Sequence, residues 1–174
     1  MIYINMGLIN KINKMKIEEL KNTFNACNDG YEFALTYDNL LDAWNSCERG
    51  DWMLWFAKKL DCPIRELTLA KGLCAKTVIH LMKDQRSIDA VQAAIDFGND
   101  IIDEETLKKY ASAAYAAGAD FAYAAYAAYV SATAAYVSAA ATATASAENS
   151  RISNRKLTSD ICREILTDFI KSKI

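Results

Sequence analysis

Histidine, glycine and proline are scarce in this chain. Its 174 residues include one histidine, one proline and six isolated glycines. A phosphate-binding loop needs several glycines close together, and nucleophilic catalysis needs a base within reach of the nucleophile. The flanks of His80, Ile79 and Leu81, favour a structural histidine in an apolar helix over a catalytic base. A pair of His80 with Cys47 or Cys74 has no support in the spacing. We therefore predict that the protein is not an enzyme.

Cysteine motifs are also lacking. The five cysteines are odd in number and scattered, and none forms a Cys-x-x-Cys pair: Cys27, Cys47, Cys62, Cys74 and Cys162. Metal sites need clustered histidine, cysteine or carboxylate side chains, so we expect no metal, and the chain indicates no cofactor. Isolated cysteines of this kind are typical of small buried hydrophobic residues in a reducing compartment.

Targeting and charge signals are weak. Residues 1–10 lack the basic region and the long apolar core of a secretory signal, so we expect a cytoplasmic protein. The net charge is −2 with both signs mixed, which offers no basic surface for a phosphate backbone. We do not expect nucleic acid as a partner.

What the chain has in excess is alanine, concentrated in residues 110–147. Twenty of these thirty-eight residues are alanine, six are tyrosine, and Asp120 is the one charged residue. Alanine has the highest helix propensity, so the segment should be helical. A single helix of this length would measure roughly 57 Å, so we expect a bend or break between Ala116 and Thr144. Its Ala, Ser and Thr content argues against a membrane span, which draws its insertion energy from Leu, Ile, Phe and Val.

Five tyrosines of this segment fall on one face at helical spacing: Tyr115, Tyr123, Tyr126, Tyr129 and Tyr136. One interpretation is core packing with the hydroxyls at the rim. The other is a platform for a flat ligand or a partner surface, because the amphipathic tyrosine ring is enriched at interfaces.

The sequence pattern of the rest of the chain predicts helices. Apolar residues recur three or four positions apart, and no convincing alternation of period two occurs. A chain of this length fits one domain. We predict an all-α fold over residues 1–174, a single compact bundle of about six to eight helices around the Ala/Tyr-rich helix or helix pair.

Local chemistry predicts several boundaries near the N-terminus. We expect the first helix to end before Asn28, and residues Tyr31–Tyr37 to form a short connection, with or without a brief extended or helical piece. Thr36 or Asp38 should cap the next helix.

Later boundaries follow from the same rules. Pro63 fits the first position of a helix that reaches Met82, and a following helix should stop at Gly98. Asp103 reads as the N-cap of the next helix. After the alanine-rich segment, the polar residues 148–156 precede a last amphipathic helix.

The Arg49-Gly50-Asp51 triplet has the local chemistry of a turn between two helices. We expect Gly50 in the left-handed position that ends one helix and Asp51 as the cap of the next. This interpretation is favoured over an integrin-type binding triplet. The following helix should bury a stripe made of Trp52, Trp55, Phe56 and Leu60.

Residues 41–57, LDAWNSCERGDWMLWFA, resemble the signature of a family of immunity proteins from bacterial polymorphic-toxin systems. The alanine/tyrosine run is similar to that family's alanine-rich tract. The resemblance covers about residues 35–170 and leaves residues 1–30, the N-terminal helix, outside. It implies a protein that neutralises a toxin by direct binding, and it brings no catalytic residues.

Candidate partner-binding residues follow from the signature and the tyrosine stripe: Trp44, Arg49, Asp51, Trp52, Trp55, Tyr115, Tyr123, Tyr126 and Tyr129. Exposed aromatic and charged side chains suit a protein interface, and the expected partner is a toxin or effector. Two alternatives stay open. The protein could sequester a nucleotide-like small ligand between tyrosine rings, or it could form a homo-oligomer through the uncharged alanine face.

Overall fold

The computed structural model describes residues 15–82, 84–116 and 145–174, with the backbone alone for residues 115–116 and 145–150. The described residues form eight α-helices and no strand, which confirms the predicted all-α multi-helix bundle. The helices are α1 (Ile17–Asn22), α2 (Asn28–Leu35), α3 (Leu40–Ser46), α4 (Gly50–Lys59), α5 (Ile64–Lys76), α6 (Gln85–Gly98), α7 (Glu104–Ala116) and α8 (Ala145–Lys171). A 3₁₀ turn, Ile79–Leu81, lies between α5 and α6.

Helices α4, α5 and α8 form the centre of the bundle. α8 packs along both α4 and α5, α6 packs on α5, and α7 packs on α6. Each of the three central helices contributes a fully buried side chain, among them Leu54, Cys74 and Leu166. At the other end of the described chain, α1 and α2 pack against each other and α2 packs against α3. The motif at residues 41–57 therefore connects the α1–α2 pair to the centre.

Asparagine or aspartate has the left-handed backbone conformation, which glycine adopts most easily, at three turns. These residues are Asn25 with a φ of 56°, Asp61 with 56° and Asp100 with 60°. Their short polar side chains tolerate this region better than other non-glycine residues. Asp103 accepts a hydrogen bond from the Thr106 amide at 2.8 Å, which confirms it as the predicted N-cap of α7. α6 ends at Gly98 as predicted.

The N-terminal boundaries agree with the prediction only in part. α1 ends at Asn22, before Asn28 as predicted, but Asn28 begins a further helix that extends through most of the predicted connection over Tyr31–Tyr37. The turn lies earlier, at Asn25. The cap of α3 is Asn39, whose side chain accepts from the Asp42 amide at 2.9 Å, and not Thr36 or Asp38.

Boundaries around α5 and α8 also differ from the prediction. Pro63 immediately precedes α5, which ends at Lys76 and is followed by the separate 3₁₀ turn. α8 includes the polar residues 148–156, because a polar run without glycine or proline does not interrupt a helix whose other face is packed. Asn154 in this part of α8 donates from Nδ2 to Thr77 Oγ1 at 2.8 Å.

The alanine-rich segment is described only at its two ends. Its first residues belong to α7, where Tyr110 is 43% exposed, and residues 145–147 begin α8. The expected bend between Ala116 and Thr144 and the stripe residues Tyr123, Tyr126, Tyr129 and Tyr136 lie outside the described residues. Tyr115 lies in α7, and its side chain is likewise outside the description.

Lys71 of α5 is buried, with 3% of its surface exposed. Burial, and to a smaller extent the charge of Lys58, lowers the pKa of its amine from 10.5 to about 8. The unfolded chain, with the ordinary pKa, binds this proton more tightly than the folded chain. A protonated Lys71 therefore costs folding free energy below pH 8, and this cost is relieved as the pH rises towards 10.5.

Lys71→Met should raise the free energy of unfolding at neutral pH by about 1–3 kcal/mol, because one pKa unit corresponds to about 1.4 kcal/mol. The difference in the free energy of unfolding between variant and wild type should narrow between pH 8 and 10.5, and urea unfolding across this range measures it. Comparing the variant with wild type cancels the contribution of the other groups whose protonation changes over this pH range. Lys76→Met, at an exposed position of the same helix, is the control and should change stability by less than about 0.5 kcal/mol. A stability difference between Lys71→Met and wild type that stays constant with pH would contradict the prediction.

Candidate functional site

The first half of the motif at residues 41–57 is held against α8. Trp44 is 4% exposed, and its Nε1 donates to Thr167 Oγ1 at 3.0 Å. Arg163 donates from Nη1 to the Cys47 carbonyl at 2.7 Å and from Nη2 to Asp160 Oδ1 at 2.6 Å. Trp44, a candidate partner residue from the sequence, is therefore placed in the core.

Gly50 is a point of close helix contact and not a left-handed turn. It is the first residue of α4, and its φ lies outside the left-handed region. A Cβ at this position would lie 2.6 Å from Thr158 Oγ1, 2.7 Å from its Cβ and 2.8 Å from its carbonyl carbon. Asp51 is likewise not the cap of α4, since Arg49 holds the N-cap position and makes no side-chain cap hydrogen bond. Glycine is needed here because α8 leaves no room for a side chain.

Buried thiols surround this helix contact. Cys162 Sγ donates to the Gly50 carbonyl at 3.6 Å and lies 4.0 Å from Cys74 Sγ. The contact with Cys74, together with burial, raises the pKa of Cys162, and burial raises the pKa of Cys47. Burial also raises the pKa of Cys62 to about 12. The thiols of Cys47, Cys62 and Cys162 therefore stay protonated at neutral pH. These three and Cys74 are buried, whereas Cys27 is exposed.

The charged residues of the triplet pair with each other. Arg49 donates from Nε to Asp51 Oδ1 at 2.8 Å and from Nη2 to Asp51 Oδ2 at 2.5 Å. The pair is half-buried, with 31% and 22% of the two side chains exposed. The Asp51 carboxylate raises the pKa of the Arg49 guanidinium. The guanidinium carbon also lies 4.4 Å from the ring centroid of Trp52.

An aromatic pocket opens beside this ion pair, between the α1–α2 pair and helices α3 and α4. Its volume is about 720 Å³. The residues that line it are Leu20, Lys21, Asn25, Ala26, Cys27, Asn28, Gly30, Phe33, Ala34, Leu40, Ala43, Trp44, Cys47, Asp51, Trp52, Met53, Trp55 and Phe56. Most of this lining is apolar, and five of the residues are aromatic.

The tryptophans of α4 pack at the edge of the core and line the pocket. Trp52 and Trp55 are half-buried, whereas Met53, Leu54 and Phe56 of the same helix are buried. The predicted stripe is therefore buried at Phe56 and Leu60, whereas the two tryptophans are partly buried and pack against the core. Phe33 of α2 contacts Trp52 at a tilted angle, with ring centroids 5.8 Å apart.

Polar groups at the pocket are engaged in hydrogen bonds. Lys21 Nζ donates to the Ala26 carbonyl at 3.2 Å and to Asn28 Oδ1 at 2.6 Å. Asp51 accepts from Arg49 as described. The arrangement offers apolar and aromatic surface with a fixed ion pair at its edge, which suits binding.

His80 lies away from this site. It is exposed on the 3₁₀ turn, so its predicted placement in an apolar helix is wrong. Within residues 15–82, 84–116 and 145–174, no group of three or more His, Cys, Asp and Glu side chains has the arrangement of a metal site. In that same part of the chain, no helix combines the length and apolar character that a membrane crossing requires.

Compared with known proteins, the chain matches no protein-family model, no curated protein and no solved structure. The resemblance in residues 41–57 therefore enters the functional argument as a hypothesis.

Sequence reasoning missed the half of the pocket that α1 and α2 supply. Leu20, Cys27 and Phe33 line it, yet none was a candidate site residue. Tyr31 and Phe33 are two positions apart, so their spacing gives no helical signal, and Tyr37 lies beyond the end of α2. Among the candidates, the pocket gathers Trp44, Asp51, Trp52 and Trp55 and has Arg49 at its edge.

Proposed function

We propose that this protein binds and neutralises a toxin or effector protein directly, without catalysing a reaction. The observation that supports the proposal is the aromatic pocket of about 720 Å³, built on the residues that resemble the immunity-protein signature. A cytoplasmic site of action belongs to the same proposal, since free, scattered cysteines are typical of a reducing compartment.

Interface energetics favour this surface. A few aromatic and arginine side chains in a concave, well-packed setting supply most of the binding energy in protein complexes. Trp52 and Trp55 are half-buried, so they already have fixed positions and keep apolar surface for a partner. Preorganised rings lose little conformational entropy on binding. The pocket therefore provides an anchor site for an apolar side chain of the partner.

A nucleotide-like small molecule is the alternative ligand. The pocket volume falls within the range of roughly 300–1,000 Å³ that is usual for small-molecule sites. Phosphate groups, however, need available cations. Lys21 is bonded to Asn28 and Ala26, and Arg49 is bonded to Asp51. The stacking tyrosines of this hypothesis lie in the part of the chain that is not described.

A homo-oligomer through the alanine face is the remaining alternative, and it also depends on residues 117–144. Light scattering after size exclusion separates it from the others. A strict monomer at working concentration would remove it.

The test is capture of the partner from the native host with the full chain as bait. Trp55→Ala, Tyr110→Ala and wild type are compared, because Tyr110 is an exposed aromatic residue that does not line the pocket. We expect a partner that is toxic when expressed alone and harmless when the wild-type chain is coexpressed. Trp55→Ala should weaken the purified complex at least about tenfold, which corresponds to a hot-spot residue, and Tyr110→Ala should not.

Circular dichroism and urea unfolding confirm that both variants are folded before they are compared. Equal affinities for the partner in the two variants would refute the pocket as the anchor site. A partner whose toxicity persists in the complex would refute neutralisation.

A further inference from the structure

Negative charge is concentrated on the part of the chain that builds the aromatic pocket. Residues 15–56 contain eight acidic and three basic side chains, a net charge of −5. The whole chain carries −2, so the remaining residues together carry +3. The helices α1 to α3 and the start of α4 thus form an acidic region on a chain that is otherwise basic.

Most of these carboxylates face solvent. Six of the eight are exposed: Glu18, Asp29, Glu32, Asp38, Asp42 and Glu48. The ion pairs within the described residues do not involve any of the six. Two of the three basic side chains are engaged, since Lys21 is bonded to Asn28 and Arg49 to Asp51. Lys59 adds a positive charge beside the pocket, with its Nζ 5.9 Å from the Trp55 ring centroid. The six exposed carboxylates still leave an excess of negative charge on the surface around the pocket.

The pocket itself excludes a cation. Arg49 already lies over the Trp52 ring and holds both oxygens of Asp51, so the cation–π and carboxylate positions at the pocket edge are filled from within the chain. What is left open is apolar surface from Phe33, Trp52 and Trp55. An apolar side chain of a partner fits this surface, and the exposed carboxylates around the pocket attract cations.

We propose that the occupant of the aromatic pocket is a cationic segment of another protein, which inserts an apolar side chain and places lysines or arginines against the acidic surface. This inference rests on the proposed function and names the chemistry of its partner. Opposite charges steer the encounter and raise the association rate, while a desolvated apolar anchor supplies most of the affinity. An acidic partner would be repelled by the same carboxylates.

A displayed library of random peptides, selected on the immobilised full chain and counter-selected on Trp55→Ala, tests the inference. The selected peptides should contain Trp, Phe or Leu flanked by Lys or Arg, and should be depleted in Asp and Glu. Binding of the synthesised peptides, measured by tryptophan fluorescence, should weaken at least about tenfold between low and high salt, because exposed charges are screened.

Charge variants complete the test. Glu32→Gln with Glu48→Gln should weaken the peptides about threefold, mainly through a slower association rate. Glu66→Gln with Glu164→Gln is the matched control, since both are exposed on α5 and α8 and neither lines the pocket, and it should leave affinity unchanged.

Failure of the inference and failure of the proposed function give different results. Selected peptides without excess positive charge, or with no salt dependence, would overturn the cationic partner and leave the pocket as an anchor site. No enrichment over Trp55→Ala would overturn both. A dimer that dissociates in Trp55→Ala would identify a second copy of the chain as the occupant and would also overturn the inference.

Discussion

Gly50→Ala should lower the free energy of unfolding by about 3 kcal/mol or more, although it adds a single methyl group. The new Cβ would lie within 2.8 Å of three atoms of Thr158, one of which is backbone, so neither residue can move without displacing α4 from α8. These two helices are central to the bundle, and the displacement would also disturb the Cys162 contact with the Gly50 carbonyl. Urea unfolding followed by circular dichroism measures the loss.

Gly30→Ala is the matched control for this substitution. Its Cβ would meet the Cys27 thiol at 3.2 Å, the end of an exposed side chain that can rotate away. Alanine also has the higher helix propensity, by about 1 kcal/mol, so we expect Gly30→Ala to be neutral or slightly stabilising. Similar effects of the two substitutions would show that the contact between Gly50 and α8 is not the cause.

Trp44→Ala should destabilise the protein by about 3–5 kcal/mol, the range for truncation of a large buried aromatic residue. The indole is buried, lies 6.4 Å from the Phe56 ring centroid, and donates to Thr167 of α8. Trp44→Phe keeps most of the volume but removes the donor, so it should cost about 1 kcal/mol. The midpoint of urea unfolding measures the loss of stability in both variants.

Trp55→Ala gives the contrasting result within the same motif. Because Trp55 is half-buried at the pocket, its truncation should cost less stability than that of Trp44 and more affinity for the partner. A larger stability loss for Trp55→Ala than for Trp44→Ala would contradict the division of the motif into a structural and a binding half.

This division gives the motif a physical meaning. Trp44, Cys47 and Gly50 are buried and attach α3 and α4 to α8, although the first two also line the pocket. Asp51, Trp52 and Trp55 line the pocket and are only half-buried. Residue identity alone does not separate the two groups, because each contains a tryptophan. Burial and contact with α8 separate them.

Local chemistry by itself determined the helical class of this protein and several of its boundaries. Helical spacing without period-two alternation, the Asp103 cap and the end of α6 at Gly98 depend on residues close together in the chain. The role of Gly50, the burial of Trp44 and the pocket between α2 and α4 depend on contacts between residues far apart in the chain. Propensity and capping act within a few residues, whereas burial is decided by which helix face meets another helix, and only the tertiary structure fixes that choice.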